Sequence, residues 1–458
     1  MAESGRASVP ASDSAAGIKT LVLLTFATTA GVMVEFYDFF LYGYAAATVF
    51  PKLFFPNLPA DQALVLSYLA FGAGFPARIL GAFLFGHFGD RIGRKFSFVT
   101  NILVTGIATF AVALVPGYAR IGIAAPIIVM LLRMVQGIGV GGEFGGASSL
   151  MAEFSAKRKH RTFWIGMTNM GMPLGSILAS CAMLAFGNTF MGIGWRISMM
   201  LSAVVVIPAL LARYKLAESP LFDKLNQTQR AKMPSFAVFK RYSRPVFLLA
   251  LITAFQHMDS YVSGTYIIAF MRLAGLPLTI TALAITLGRV ADVAGMLAAS
   301  PLTEWAKKRK SMAYIAIGIT TLLSFPYVGA ILGKNIPLVM VFQFLISLFG
   351  LGLMHGILPV LTTESFPTKY RYSGGGIAYS FSSVMGGMVA PSMLAALIGT
   401  NLGKWYYLPA VYLVYCAIAM TALIMLRETQ GVELEDVDRQ EGTLEAKAVK
   451  SLAATAGK

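Results

Sequence analysis

Apolar runs of roughly 20 residues or more recur along most of the chain, broken by short clusters of charged residues, Pro and Gly. They lack the strict alternation that a barrel strand requires. Each run is long enough to cross about 30 Å of hydrocarbon as a helix, which satisfies its own backbone hydrogen bonds in lipid. Boundaries set at the breaks predict twelve spans, over 18–48, 61–87, 97–116, 122–150, 161–186 and 192–214, then 246–271, 278–303, 312–332, 336–362, 371–398 and 405–427. The longest polar segment, LARYKLAESPLFDKLNQTQRAKMPSFAVFKRYSRP, separates the sixth from the seventh. The expected fold is an all-α membrane protein of two pseudo-symmetric six-helix bundles, 18–214 and 246–428. A polar N-terminal tail (1–17), a cytoplasmic linker (215–245) and a C-terminal tail (429–458) complete the division.

Composition points the same way. Charged residues make up 13% of the 458, against about 25% in a soluble globular chain, and the mean hydropathy is +0.70. Cys181 and Cys416 both fall in apolar stretches, so no disulfide framework or metal spacing exists and both are expected as core thiols. The first 17 residues are small and polar, and the apolar run after them is too long for a secretory signal. About 28 of the 37 Lys and Arg residues fall in the even-numbered connections and the two tails, which predicts that both termini are cytoplasmic. The net charge of +16 is thereby a membrane-topology bias, with anionic lipid headgroups as its partner rather than nucleic acid. The expected setting is a prokaryotic-type cell membrane, with the chain acting as a monomer.

The halves resemble each other faintly. The fourth span ends in MAEFSAKRKHR before a Gly-rich fifth, and the tenth ends in TTESFPTKYR before YSGGGIAYS. Six spans plus six around a long loop is a transporter arrangement. The glycine run from Gly137 to Gly146 lies inside an apolar helix and suits tight helix contact rather than a nucleotide. No G-x-x-x-x-G-K-[ST] sequence occurs, and no cofactor is expected.

GHFGDRIGRK, between the second and third spans, combines glycines for a tight turn with charges able to pair with neighbouring helix ends. A merely basic loop would explain the Lys and Arg but not the spacing. Here the chain resembles the major facilitator superfamily, whose G-x-x-x-D-R-x-G-R-K signature is matched at every fixed position. The resemblance implies a latch for the outward-facing state, built from Gly86, Gly89, Asp90, Arg91, Gly93, Arg94 and Lys95. Asp90 would meet a helix N-terminus of the other half, and Arg91 and Arg94 would pair with Glu153. The corresponding second-half loop, SPLTEWAKKRK, keeps an acid at Glu304 but lacks the glycines.

Three further stretches, EFYDFFLYGY, LLRMVQGIGVGGEFGG and ESPLF, resemble the metabolite:proton symporter family within that superfamily. The chain departs from it at Arg78-Ile79, where Arg-Pro is usual. The resemblance implies proton-coupled transport of small organic acids, or of zwitterionic osmolytes such as proline and betaine.

Five acids, Glu35, Asp38, Glu143, Asp259 and Asp292, fall within spans against three arginines, Arg78, Arg133 and Arg289. Each charge at mid-membrane costs about 2.5 to 3.5 kcal/mol even on lenient scales. Pairing alone cannot neutralise all five acids, so the remainder must face water, bind a cation or hold protons. Glu35 and Asp38, three apart on one helix face, are expected as a proton site, unless one of them locks helices through Arg78 or Arg133. Glu143 and Asp259 are the further candidates for proton coupling. Arg133 can meet a carboxylate in bidentate geometry, whether a substrate's or a neighbouring side chain's. The candidate substrate set is Tyr37, Arg78, Arg133, His257 and Tyr261, with Tyr44 beside Tyr37 and His355 as a second ambiguous histidine. Arg289 and Asp292, i and i+3, are expected to satisfy each other as a structural ion pair.

The resulting expectation is a proton-coupled symporter importing a small carboxylate by alternating access, the arginines favouring an acid over an osmolyte. The C-terminal tail has no sustained heptads that would suggest an osmolyte carrier's coiled coil. An intramembrane hydrolase is set aside for want of an H-E-x-x-H, paired aspartyl or Ser-His arrangement. A non-transporting sensor is the remaining alternative.

Overall fold

The computed structural model describes residues 18–91, 94–141, 143–155, 160–214, 234–431 and 437–439, and every regular element among them is helical. The predicted spans appear as α1 (Ile18–Thr48), α2 (Ala60–Phe85), α3 (Arg94–Leu114), α4 (Ala124–Ser155), α5 (Arg161–Met191), α6 (Gly194–Tyr214), α7 (Ser243–Leu273), α8 (Leu278–Ala306), α9 (Arg309–Leu332), α10 (Ile336–Glu364), α11 (Tyr370–Ile398) and α12 (Tyr407–Met425). Ten of the helices are long and apolar enough to cross a membrane, and α3 and α6 occupy the remaining two predicted positions. Large apolar side chains such as Leu80, Ile107, Leu322 and Ile424 stand more than half exposed. Lipid chains, not water, are the solvent that such a surface fits.

Small residues set how closely the helices approach, since lipid gives no hydrophobic reward for helix association. A Cβ on Gly137 of α4 would lie 2.0 Å from the Gly74 carbonyl oxygen of α2, and one on Gly141 would lie 2.2 Å from that of Arg78. The glycine run is therefore a helix-contact surface.

The two halves close on each other at both ends. At the end where α1 begins, Arg161 of α5 pairs with Glu364 of α10, which also takes Arg309 of α9 at 2.8 Å. At the opposite end the Tyr68 hydroxyl of α2 donates to the Thr265 carbonyl of α7 at 3.1 Å. Thr286 of α8 donates to Ser180 of α5 at 2.8 Å. Three helices of the second half contain wider π-helical turns, at Val262–Tyr266 in α7, Ser347–Gly352 in α10 and Val384–Val389 in α11. Such turns often mark functional segments.

Several expectations change. Cys181 is exposed and Cys416 only partly buried, so neither is a core thiol. Of the latch residues, Gly86, Gly89, Asp90 and Arg91 end the helix that continues α2, and Arg94 and Lys95 begin α3. Gly93 lies outside the described residues, as do the side chains of Asp90, Arg91, Arg94 and Lys95. Glu153 is half-buried on α4. In the second-half counterpart, where glycine is missing, Lys307 itself takes φ 53, and Glu304 contacts His160 at 3.3 Å.

Replacing Gly137 by Val forces α2 and α4 apart at backbone level, which no rotamer change relieves. The expected loss is about 1–3 kcal/mol, to be read as a lowered Tm of the purified protein in detergent. An unchanged Tm would show that this contact is not limiting.

Candidate functional site

Glu35 and Asp38 sit one turn apart on α1 and diverge. Glu35 Oε1 accepts from Arg78 Nη2 of α2 at 2.8 Å, and both side chains are buried. Asp38 faces α3 and α4 instead, where Thr109 donates to its Oδ2 at 2.6 Å and its Oδ1 has no partner. Gln136 Nε2 donates to Thr109 at 2.6 Å, and the Gln136 carbonyl oxygen accepts from Arg133 Nη1. A continuous polar chain thus runs Asp38, Thr109, Gln136, Arg133.

Arg133 is fully buried, and among the described residues no carboxylate lies within ion-pair distance of it. Its Nε donates to the Phe71 carbonyl at 3.2 Å, its Nη2 has no partner, and its guanidinium lies 3.6 Å from the Phe39 ring centre and 4.5 Å from that of Tyr42. Aromatic faces attract a cation in such a site without neutralising it. No side-chain carboxylate among the described residues makes a bidentate contact with Arg133, and neutral acceptors take its place.

Between the halves lies a small cavity lined by Glu35, Glu143, Phe144 and Asn169 from the first half and by Tyr379 of α11 from the second. It leaves room for about one water molecule. The Phe144 and Tyr379 rings close one wall, stacked at 3.9 Å and 8° across the two halves.

In the second half, His257 turns towards α11, with Nδ1 3.1 Å from the Ser382 hydroxyl and its ring 4.5 Å from that of Tyr379. Asp259, two residues on, points the other way, into the bundle, where Tyr412 of α12 donates to its Oδ1 at 2.8 Å and its Oδ2 is without a partner. Arg289 and Asp292 lie 3.6 Å apart, close enough for an ion pair and too far for a hydrogen bond. The hydrogen bond of Asp292 goes to His355 Nδ1 at 2.9 Å, and Arg289 Nη2 donates to the Ser260 carbonyl at 3.0 Å. The pair is thus part of a larger cluster and not self-contained.

The structure brings Glu35, Arg78 and Glu143 to or beside the cavity, and places Asp38 and Arg133 behind Phe39. Tyr261 reaches across from α7 to stack on Phe40, with its hydroxyl unpartnered. Tyr37 is a correction. Its hydroxyl donates to the Ser198 carbonyl at 2.6 Å within the first half, and it does not line the cavity. Sequence reasoning missed Thr109, Gln136, Asn169 and Tyr379. Only Gln136 carried a signal, three residues after Arg133 on an apolar helix.

The sequence profile of the Major Facilitator Superfamily matches residues 26–391. The inner membrane metabolite transport protein YhjE of Escherichia coli is 35% identical, over 89% of this chain and 94% of its own. The shikimate transporter of the same organism is 32% identical, over 86% and 92%. The proton:xylose symporter XylE, solved with 6-bromo-6-deoxy-D-glucose bound, superposes with a TM-score of 0.73, covering 92% of this chain and 99% of its own at 17% identity. That likeness concerns the fold. Fold and comparisons together define a multi-pass membrane transporter, and the chain belongs to the Major Facilitator Superfamily.

Because Arg78 and Glu35 are both buried, removing either alone strands a charge. Arg78→Met should cost about 3–5 kcal/mol, while the double variant with Glu35→Gln should recover most of it. Detergent Tm values of the four proteins in the cycle measure this, and simple additivity would show that the pair contributes no coupling.

Proposed function

We propose that the chain is a proton-coupled symporter that takes up a small organic acid, with Asp38 as proton site and Arg133 as the group that meets the substrate carboxylate. The observation that carries this reading is the buried Arg133 guanidinium without a carboxylate, wired through Gln136 and Thr109 to an aspartate with one free oxygen. An ionised Asp38 holds Arg133 electrostatically within the first half. A proton on Asp38 removes that attraction and leaves Arg133 to a substrate anion. Proton and anion therefore favour the same state, which is the condition for coupling, since a ligand shifts a conformational equilibrium only through differential affinity.

Glu35 stays paired with Arg78 beside the cavity and takes the positional role, while Glu143 also lines the cavity. Tyr379 supplies the second half's side of the cavity, with the His257 ring packed against it. Rocking of the halves about this site then exposes it alternately to each side. Both termini lie in the cytoplasm on this reading, as the basic connections indicate. Shikimate transport by a relative with 32% identity supports a carboxylate substrate. A zwitterionic osmolyte also carries a carboxylate for Arg133, but its ammonium group would need a cation site such as an aromatic wall, and it would add no net negative charge to offset the buried guanidinium.

Uptake into proteoliposomes, with radiolabelled organic acids and betaine under separately imposed pH and voltage gradients, tests the reading. Asp38→Asn should lose pH-driven accumulation, to a ratio of about one, and keep exchange of labelled for unlabelled acid. Arg133→Lys should weaken carboxylate affinity more than about tenfold, that is about 1.4 kcal/mol, with Tm unchanged. Wild-type accumulation by Asp38→Asn, or uptake of betaine alone, would overturn the assignment.

A further inference from the structure

Away from the Asp38 to Arg133 relay, a second group of titratable side chains meets inside the second half. α8 contributes Arg289 and Asp292, α10 His355 and α7 Asp259, all 1% exposed or less. Arg289 and Asp292 both lie close enough to Asp259 to act on it electrostatically. His355 stands in the middle of a chain: its Nδ1 is 2.9 Å from Asp292 Oδ1 and its Nε2 is 2.6 Å from the Gln256 carboxamide nitrogen. With a neutral imidazole the cluster holds one cation against two carboxylates. It balances when the imidazole carries a proton, and unbalanced buried charge is costly.

We infer that Asp292, His355 and Gln256 form a second proton-holding site, which loads and unloads once per transport cycle. In the neutral form His355 Nδ1–H donates to Asp292 and Nε2 accepts from the Gln256 amide. On protonation at Nε2 the Gln256 carboxamide turns about its last bond, so that its oxygen accepts the new N–H. No other group has to move. The carboxamide therefore tolerates both charge states, whereas a fixed donor would tolerate one.

The site is connected to the moving interface. Asn169 of α5, which lines the central cavity, donates to the His355 carbonyl at 3.1 Å. The backbones of α5 and α10 touch beside it, where a Cβ on Gly166 would lie 2.8 Å from the Gly356 oxygen. Parting of these two helices opens a route from His355 to the cavity.

The other charged or titratable groups facing α10 are otherwise engaged. Arg161 of α5 and Arg309 of α9 hold Glu364 at the helix end, and Tyr327 of α9 donates to Gln343. Arg371 of α11 donates to the Thr363 carbonyl, and Glu143 of α4 lines the central cavity. His257 faces Ser382 and Tyr379, and Asp259 takes the Tyr412 hydroxyl.

This inference rests on the symport reading and adds to it. A monoanion carried with one proton moves no net charge, so voltage gives it no driving force. A second proton makes the cycle electrogenic, and about 100 mV then supports roughly 50-fold accumulation.

The full chain in lipid nanodiscs, labelled with 15N-histidine, tests the site directly. One imidazole signal, absent from His355→Gln, should convert from the Nδ1–H neutral form to the doubly protonated form as the sample is taken from alkaline to acid pH. Asp292→Asn should move that conversion and so identifies the signal independently if His355→Gln does not fold. An imidazole fixed in one form across the range would overturn the inference. In proteoliposomes, with labelled shikimate as the probe, His355→Gln should lose voltage-driven accumulation, by up to about 50-fold at 100 mV, and retain exchange. Unaltered voltage dependence in that variant would also overturn it. Failure of the wild type to take up shikimate would instead count against the carboxylate reading, with the imidazole titration still deciding the proton site.

Discussion

Charge held away from water governs how this molecule is built. Arg78, Arg133 and Arg289 are each 1% exposed or less, on helices surrounded by apolar side chains, and each has to be satisfied from inside. The three solutions differ. Arg78 has a carboxylate in direct contact, and Arg133 has a carbonyl, a carboxamide and aromatic faces. Arg289 has a carbonyl, a ring face and a carboxylate shared with a histidine. A guanidinium matched by its own carboxylate has little to gain from a ligand, whereas one held by neutral groups retains its attraction for an anion.

Helix geometry makes those partners reachable. The π-helical turn of α7 begins just after Ser260, whose carbonyl takes a bond from Arg289. At Gly264, inside that turn, a Cβ would lie 2.0 Å from Arg289 Nη2. Any side chain there would expel the guanidinium from its position. A widened turn and a missing side chain together bring a backbone acceptor and a cation into contact that a regular helix would keep apart. The same logic at Gly137 and Gly141 brings α2, with Arg78, against α4, with Arg133.

The fold was legible because its cause is local. A run of apolar residues long enough for the bilayer predicts a helix whatever the rest of the chain does, and the predicted ends fall within about five residues of those observed. The surplus of buried acids was legible for a related reason, since a charge inside an apolar run is visible without tertiary contacts. Its distribution was not. Glu35 and Asp38 share a helix face by spacing, yet the small rotation between them sends one to α2 and the other to α3. Tyr37 looked equally placed and turns to α6. Thr109 and Gln136 are uncharged, and nothing in composition or spacing distinguishes a buried hydroxyl that links two charges from one that merely bonds back to its own helix.

The two ends of the molecule are held by different chemistry, and that asymmetry bears on how it turns over. At one end, ion pairs converge on Glu364 and the Phe144 and Tyr379 rings stack flat. At the other, hydroxyl groups of Tyr68 and Thr286 make hydrogen bonds across the halves, and the Tyr68 ring packs against that of Tyr266. A hydroxyl bond contributes about 0.5–1.5 kcal/mol net, less than a buried ion pair loses when one partner is removed. Helix α1 is placed to transmit a change at the site: Glu35 faces the cavity, Asp38 faces the polar chain to Arg133, and Phe40, between them and the second half, stacks on Tyr261 of α7. A change of charge at Asp38 and a rearrangement at the cavity wall are thus events on one rigid helix, one turn apart. Neither can occur without altering the contact that joins the halves.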